Sequence, residues 1–177
     1  MVGKRAGSIL VFAYGSNMLT CRMCGRCPSA TAIGVAELRG FEIRWHKKST
    51  DGSGKCDVVE SERADAAVYG VLYQIADNEK SRLDEAEGLG KGYEEKKVEV
   101  FCNDKQYKAI IYSATAIDKS LKPYTWYKAL VVAGAMEHGL QEAYISELQS
   151  VEAIPDYNHE RHDAEMECIE DVKGAER

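Results

Sequence analysis

The loop that ends the first apolar segment is the part of the chain best suited to chemistry. The apolar run 9–13 stops abruptly at Tyr14-Gly15-Ser16-Asn17-Met18. Glycine lets a backbone approach a ligand closely, and serine and asparagine begin helices well. Such a turn directs backbone N–H groups outward, where they can hold an anion or a developing oxyanion. An ordinary strand-to-helix turn has the same residues, so this motif alone leaves both interpretations open.

A second candidate is an acidic helix end, Leu83-Asp84-Glu85-Ala86-Glu87, followed by the glycine-rich stretch 88–92. The helix dipole disfavours negative charge at this end, and Asp84 and Glu85, if close to Glu87, would disfavour its charged form. A partly buried carboxylate in this setting is suited to take up and return a proton. The alternative is a solvated helix end. The glycine spacing does not match a dinucleotide-binding fingerprint, which would follow a strand.

Three closely spaced cysteines, Cys21, Cys24 and Cys27, resemble part of a metal or iron–sulfur motif. On a helix the third is rotated away from the first, and no fourth ligand follows at metal spacing. His159 and His162 lie far along the chain and are expected to be solvated. We therefore expect no metal site, and free thiols that respond to oxidation rather than disulfides.

Tyrosines supply the remaining candidates, since the chain has ten of them against three phenylalanines. A ring with a hydroxyl suits the wall of a pocket for a small polar ligand. Tyr14, Tyr93, Tyr112 and Tyr127 each lie near a predicted element end or a glycine loop, although most of the ten are expected to pack in the core. The basic segment 46–48 is able to contact a ligand carboxylate, but a solvated loop is the favoured interpretation.

The composition and net charge of the chain exclude some classes of function. The 177 residues are 45% hydrophobic and 29% charged, which fits one globular domain with a sizeable core. The net charge of −6, without a basic stripe, predicts no nucleic-acid partner. No apolar stretch approaches the roughly 18 residues of a membrane span. The apolar run 9–13 also ends without a signal-peptide cleavage site, so we expect a cytoplasmic protein with no membrane association.

The elements that must position these residues are predicted from periodicity and turn signals. Strands are predicted at 9–14, 36–45, 67–75, 98–102 and 107–113, the last two as a hairpin around Asn103-Asp104. Helices are predicted at 17–26, 79–87, 124–138 and 141–151. The polar segment 47–55 is predicted to be a loop. Because strands and helices do not alternate regularly, this order favours an α+β fold with a mixed or barrel-like sheet.

We expect a single domain over residues 1–177, with its core at about 9–157 and an acidic tail at 158–177 that is partly helical or frayed.

Together, the two motifs make the chain resemble the γ-glutamylcyclotransferase family. The segment 12–18 matches the family's Tyr-Gly-Ser-Asn-Leu/Met signature, and 19–20 and 28–30 follow at the expected distance. The segment 83–88 resembles the one that carries the family's catalytic glutamate, and 134–140 resembles a helix end found in the same family. The similarity covers about 9–157. Segment 31–62 matches only loosely, the three cysteines lie outside the pattern, and 90–92 is one residue short against some members.

The resemblance implies a small mixed β-barrel with flanking α-helices, often a homodimer, and no cofactor. It implies cleavage of a γ-glutamyl amide to 5-oxoproline and a free amino acid or amine, with Glu87 as general base and acid. The substrate-binding residues that it implies are Val11, Phe12, Ala13, Tyr14, Gly15, Ser16, Asn17, Met18, Tyr93, Tyr112 and Tyr127. The same chemistry on a γ-glutamyl-amine or a γ-glutamyl-capped metabolite is one alternative. A non-catalytic binding module with this fold is another.

Overall fold

The computed structural model describes the backbone of residues 7–175 and the side chains of residues 7–169. Its strands are β1 (Ser8–Ala13), β2 (Thr31–Arg39), β3 (Phe41–Lys48), β4 (Gly54–Glu60), β5 (Ala67–Ala76), β6 (Tyr93–Cys102) and β7 (Lys105–Ala114). Its helices are α1 (Thr20–Arg26), α2 (Lys80–Glu87), α3 (Thr125–Glu137), α4 (Glu142–Ser150) and α5 (His159–Ala175). Within the described range, no helix is long and apolar enough to cross a bilayer.

Five strands close into a barrel in the order β1-β5-β2-β6-β7. Neighbouring strands are antiparallel except β1 and β7, which run parallel where Val11 lies opposite Ile110. Strands β3 and β4 form a separate antiparallel pair. Apolar residues from the barrel and from α3, such as Leu72, Ile111 and Leu130, are fully buried in one shared core. The prediction of an α+β fold with a mixed barrel is therefore confirmed.

Turn residues fix the ends of several elements. Asn103 and Asp104 both have positive φ, as a two-residue hairpin turn between β6 and β7 requires. Gly88, with φ +68°, ends α2 in the left-handed conformation that glycine adopts readily. Gly40, with φ +77°, reverses the chain between β2 and β3. The single bent strand predicted at 36–45 is thus two separate strands.

The predicted loop at 47–55 is wrong at both ends. Lys47 and Lys48 still belong to β3, and β4 begins at Gly54, where an added Cβ would lie 2.2 Å from the carbonyl oxygen of Trp45. The interior of this sheet is partly polar, because buried His46 and Asp57 are joined by a 2.9 Å contact between Nε2 and Oδ2. Buried polar residues interrupt the apolar alternation that would otherwise have predicted β4.

The C-terminal segment is a helix joined to the core rather than a frayed tail. Ile169 of α5 is buried in the main apolar cluster. Cys168 of the same helix forms a disulfide with Cys21 of α1, with a Cα–Cα distance of 5.7 Å. The expectation of free thiols is therefore wrong for this pair, although Cys24 and Cys27 are free. A partner 147 residues away could not be inferred from the spacing within 21–27.

Candidate active site

A cavity lies where β1 leaves the barrel, and we call it the inner cavity. Its wall comes from the end of β1 and the loop after it, from the last residue of α2, and from β4, β6, β7 and α3. The residues that line it are Val11, Phe12, Ala13, Tyr14, Gly15, Ser16, Asn17, Cys56, Glu87, Tyr93, Tyr112 and Tyr127. Every predicted site residue except Met18 is therefore brought to one place. Met18 is fully buried and lies outside the cavity wall.

The loop after β1 presents unpaired backbone donors. Residues Ser16–Met18 form one turn of 3-10 helix, whose tightness is set by a 3.0 Å hydrogen bond from the Met18 N–H to the Gly15 carbonyl. Among the described residues, the N–H groups of Gly15, Ser16 and Asn17 have no acceptor. Helix α3 supports this turn from behind at Gly134, where an added Cβ would lie 2.5 Å from the Leu19 nitrogen. The turn is thus fixed by the core with its donors available to a ligand.

Glu87, the last residue of α2, is held by donors from two other elements, the loop after β1 and α1. Its Oε1 accepts a 2.6 Å hydrogen bond from Asn17 Nδ2, and it forms an ion pair with Arg26 of α1. The expected acidic neighbours are directed elsewhere. Asp84 Oδ1 accepts from Lys80 and from the Tyr112 hydroxyl, both at 2.7 Å, and Glu85 is exposed. Glu87 is therefore positioned by the loop after β1 and by α1 rather than by the other acids of α2.

Asn17 links the loop to Glu87 and keeps one acceptor free. A carboxylate can only accept, so the amide nitrogen of Asn17 must face Glu87. Its Oδ1 is then buried, with no hydrogen-bond partner in the described part of the chain. Buried polar atoms without a partner are rare and costly in native structures. Asn17 Oδ1 is therefore suited to accept from an N–H group of a bound ligand.

The four tyrosines form neutral walls. The Tyr93 hydroxyl donates to the Cys56 carbonyl at 2.5 Å, Tyr112 donates to Asp84, and Tyr14 donates to the Tyr112 carbonyl. Tyr127 differs, because its oxygen accepts from the Cys56 N–H at 3.1 Å and its own proton remains available. Burial raises the pKa values of Tyr14, Tyr93 and Tyr127 well above the ordinary tyrosine range. These side chains are thus donors at neutral pH and not bases.

Cys56 is a member of the cavity wall that sequence reasoning missed. Its backbone fixes Tyr93 and Tyr127, as described above. Burial raises the pKa of its thiol to about 12, so the side chain is not a nucleophile at neutral pH. Arg26 was also missed, because its ion pair with Glu87 joins residues 61 positions apart. Neither residue belongs to a local motif that would have identified it.

A second cavity, which we call the outer cavity, adjoins the first. The two share Ser16, Glu87, Tyr93 and Tyr127. The outer cavity is otherwise lined mainly by charged and polar side chains, which are Arg22, Arg26, Lys47, Ser49, Asp51, Lys55 and Glu165, with Ala86 and Trp126. Glu87 therefore stands at the junction of a neutral inner cavity and a charged outer one.

Comparison with known proteins assigns this arrangement to a family. The chain is 34% identical over 152 residues to a γ-glutamylcyclotransferase of Bos taurus, covering 82% of this chain and 79% of that protein. It is 31% identical over 163 residues to the Mus musculus γ-glutamylcyclotransferase, covering 85% and 82%. The chain belongs to the γ-glutamylcyclotransferase family. It is accordingly an enzyme of the γ-glutamylcyclotransferase type, as the resemblance of its motifs predicted.

Two further comparisons agree with membership of the γ-glutamylcyclotransferase family. Residues 67–148 match the model of the AIG2-like family. A solved structure described as a γ-glutamyl cyclotransferase superposes with a TM-score of 0.78 at 31% identity, over 86% of this chain and 92% of that one. The barrel and its flanking helices are therefore those of the family. The matched segment contains Glu87, Tyr93, Tyr112 and Tyr127, whereas the loop after β1 precedes it.

Proposed function

We propose that this γ-glutamylcyclotransferase cleaves a γ-glutamyl amide by intramolecular cyclisation, with Glu87 as its general base and acid. The observation that carries this assignment is the position of Glu87. Glu87 lines the inner cavity together with the loop after β1, whose N–H groups at residues 15–17 have no acceptor within the described part of the chain. A base and a set of oxyanion donors around one cavity are the two parts that an acyl transfer needs.

In this reaction the substrate supplies its own nucleophile. The α-amine attacks the γ-carbonyl carbon within the same molecule, so that closing a five-membered ring benefits from proximity. Glu87 takes a proton from the α-ammonium group to free the amine, which attacks. The ring nitrogen then loses its second proton as the departing nitrogen receives one from Glu87, and the amine product leaves the site to gain the other proton as its ammonium ion. One C–N bond forms and one breaks, giving 5-oxoproline and a free amino acid or amine. The reaction consumes no water and uses no cofactor.

The remaining groups of the inner cavity then bind and orient the γ-glutamyl part. Asn17 Oδ1, a buried acceptor with no partner within residues 7–169, receives an N–H of the substrate amine beside Glu87. The N–H groups of residues 15–17 and the Tyr127 hydroxyl stabilise negative charge on substrate oxygen, together by on the order of a few kcal/mol. The substrate's oxyanion and its α-carboxylate both suit these donors. Tyr93 and Tyr112, whose hydroxyls are engaged by the protein, form the walls.

The decisive experiment replaces Glu87 with glutamine and measures release of 5-oxoproline from γ-glutamyl-L-alanine. Because the amide side chain cannot move the proton, we expect kcat to fall by about 10³-fold or more while the variant still folds and binds substrate. Glu85→Gln is the matched control, since Glu85 lies two residues earlier on α2 and is exposed. Near-normal turnover by Glu87→Gln would sink the assignment of the base.

The remaining predictions concern the leaving group of the substrate, the oligomeric state and the location in the cell. We propose a γ-glutamyl peptide as the substrate, with a place in glutathione metabolism, and a homodimer in the cytoplasm. Parallel assays with γ-glutamyl-alanine, γ-glutamyl-lysine and glutathione separate peptide, amine-type and glutathione cleavage. Failure to release 5-oxoproline from all three would favour a non-catalytic binding module or a substrate of another kind. Light scattering tests the dimer.

A further inference from the structure

Lys47 is distinctive among the cations of the outer cavity. The other three are each paired. Arg22 contacts Glu165, Arg26 contacts Glu87, and Lys55 contacts Asp51 at 2.7 Å. Within residues 7–169, the Lys47 ammonium forms neither an ion pair nor a hydrogen bond with another side chain or a carbonyl. Only 9% of this residue is exposed.

The surroundings of Lys47 keep the ammonium in place without neutralising it. Its Nζ lies 4.6 Å from the centre of the Tyr93 ring, a cation–π contact with a wall that both cavities share. Gly92, at φ +146°, leaves room for it, because an added Cβ there would lie 3.2 Å from Nζ. Burial lowers the pKa of Lys47, and the negative charges of Glu87 and Asp51 oppose that effect. A buried cation that lacks its own anion is costly to the fold unless a ligand supplies one.

We propose that Lys47 is the residue that recognises the leaving part of the substrate, with its ammonium bound to the carboxylate of the leaving amino acid. This inference rests on the proposed function. If Glu87 protonates the departing nitrogen at the junction of the two cavities, the γ-glutamyl part fills the inner cavity and the leaving part extends into the outer one. Lys47 lines only the outer cavity, whereas Gly15 and Asn17 of the loop line only the inner one. Of the four cations there, Lys47 is the one that no acidic side chain within residues 7–169 already pairs, so it can take a new anion.

The test compares two substrates that differ only at the leaving carboxylate, γ-glutamyl-L-alanine and γ-glutamyl-L-alaninamide. For each enzyme we would measure kcat/KM for both substrates and take the acid-to-amide ratio. Differences in leaving-group chemistry cancel when the ratio of the variant is divided by that of the wild type. A charge-assisted hydrogen bond predicts that Lys47→Met lowers the ratio about 10- to 100-fold, chiefly through the KM of the acid. Lys47→Arg, which keeps the charge, should retain most of the preference.

The matched control is Lys48→Met, because Lys48 is the next residue of β3 and is exposed. Its acid-to-amide ratio should equal that of the wild type. Thermal unfolding of each variant separates loss of fold from loss of recognition.

Two results would contradict the inference about Lys47 without contradicting the proposed reaction. An unchanged ratio for Lys47→Met would show that Lys47 does not contact the leaving carboxylate. Equal loss with both substrates would assign Lys47 to the common γ-glutamyl part or to the fold. If the wild type releases no 5-oxoproline from either substrate, the proposed reaction itself fails, and this inference with it. If both substrates give 5-oxoproline and Lys47→Met leaves the acid-to-amide ratio unchanged, the proposed reaction therefore stands and only the inference about Lys47 fails.

Discussion

The inner and outer cavities share Glu87, but the other groups that line them differ in charge and polarity. The inner cavity is lined mainly by the backbone of the loop after β1 and by neutral tyrosines, whose hydroxyls form hydrogen bonds within the protein. The outer cavity consists of long charged side chains, most of them in ion pairs. Fixed dipoles suit a group whose shape and charge never vary, whereas paired side chains can rearrange. The contrast fits a substrate with a constant γ-glutamyl end and a variable leaving end.

The two cavities also differ in what holds them. The inner one lies at the end of barrel strand β1, with α3 packed behind its loop at Gly134. The outer one includes Glu165 of α5, which is tied to α1 by the Cys21–Cys168 disulfide. We therefore expect changes to the inner cavity to alter turnover, and changes to the outer cavity to alter recognition or stability.

The largest effect in this comparison is expected from Gly15→Ala in the inner cavity. An added Cβ would lie 3.1 Å from the Tyr127 hydroxyl and 3.2 Å from Cys56 Cβ. This crowding displaces the loop donors, so we expect kcat for 5-oxoproline release to fall about 10- to 100-fold with little change in the melting temperature. Gly25→Ala on α1 is the control, since its Cβ would meet nothing within 4 Å. An equal loss of stability and turnover would support a purely structural turn.

A smaller effect on catalysis is expected from Cys168→Ser, which removes the link between α1 and α5. Closing a chain of 147 residues restricts the unfolded state, so its loss should lower the free energy of unfolding by about 2–4 kcal/mol. We expect kcat to be almost unchanged and KM to rise only a few-fold, because the Glu165–Arg22 pair in the outer wall is loosened.

Denaturant unfolding and steady-state kinetics without reductant check the prediction for Cys168→Ser. A reducing agent should bring the wild type toward the variant. Cys24→Ser, which changes a free thiol on α1 near Cys21, should leave both measurements unchanged. A drop in kcat as large as that of Gly15→Ala would contradict the division of roles between the two cavities.

Features that depend on contacts between residues close in sequence were predictable, and features that depend on contacts between distant residues were not. The β6–β7 hairpin was predictable because alternation and Asn103-Asp104 are local signals. The placement of the loop after β1 and of Glu87 at one cavity was predictable because each belongs to a motif. Strand β4 was missed because its interior is partly polar. The Arg26–Glu87 pair and the Cys21–Cys168 disulfide join distant positions that only the folded barrel and its helices bring together.

The smallest effect that we predict is a dependence on pH confined to the outer cavity. Lowering of the Lys47 pKa by burial means that its ammonium loses its proton at a lower pH than an ordinary lysine. The groups that face it are Tyr93, which stays neutral because burial raises its pKa, and the acids Glu87 and Asp51, which favour the charged lysine. As pH rises, the cation is lost, and the acid-to-amide ratio of kcat/KM should decline.

This decline should begin below the pH at which free lysine titrates, and it should be absent in Lys47→Met. Measurement of the ratio for both enzymes at increasing pH checks it. Turnover of the amide substrate reports on the inner cavity over the same range, because that substrate has no leaving carboxylate for Lys47 to bind. A ratio that stays constant in the wild type until ordinary lysines lose their protons would mean that a group other than Lys47 recognises the carboxylate.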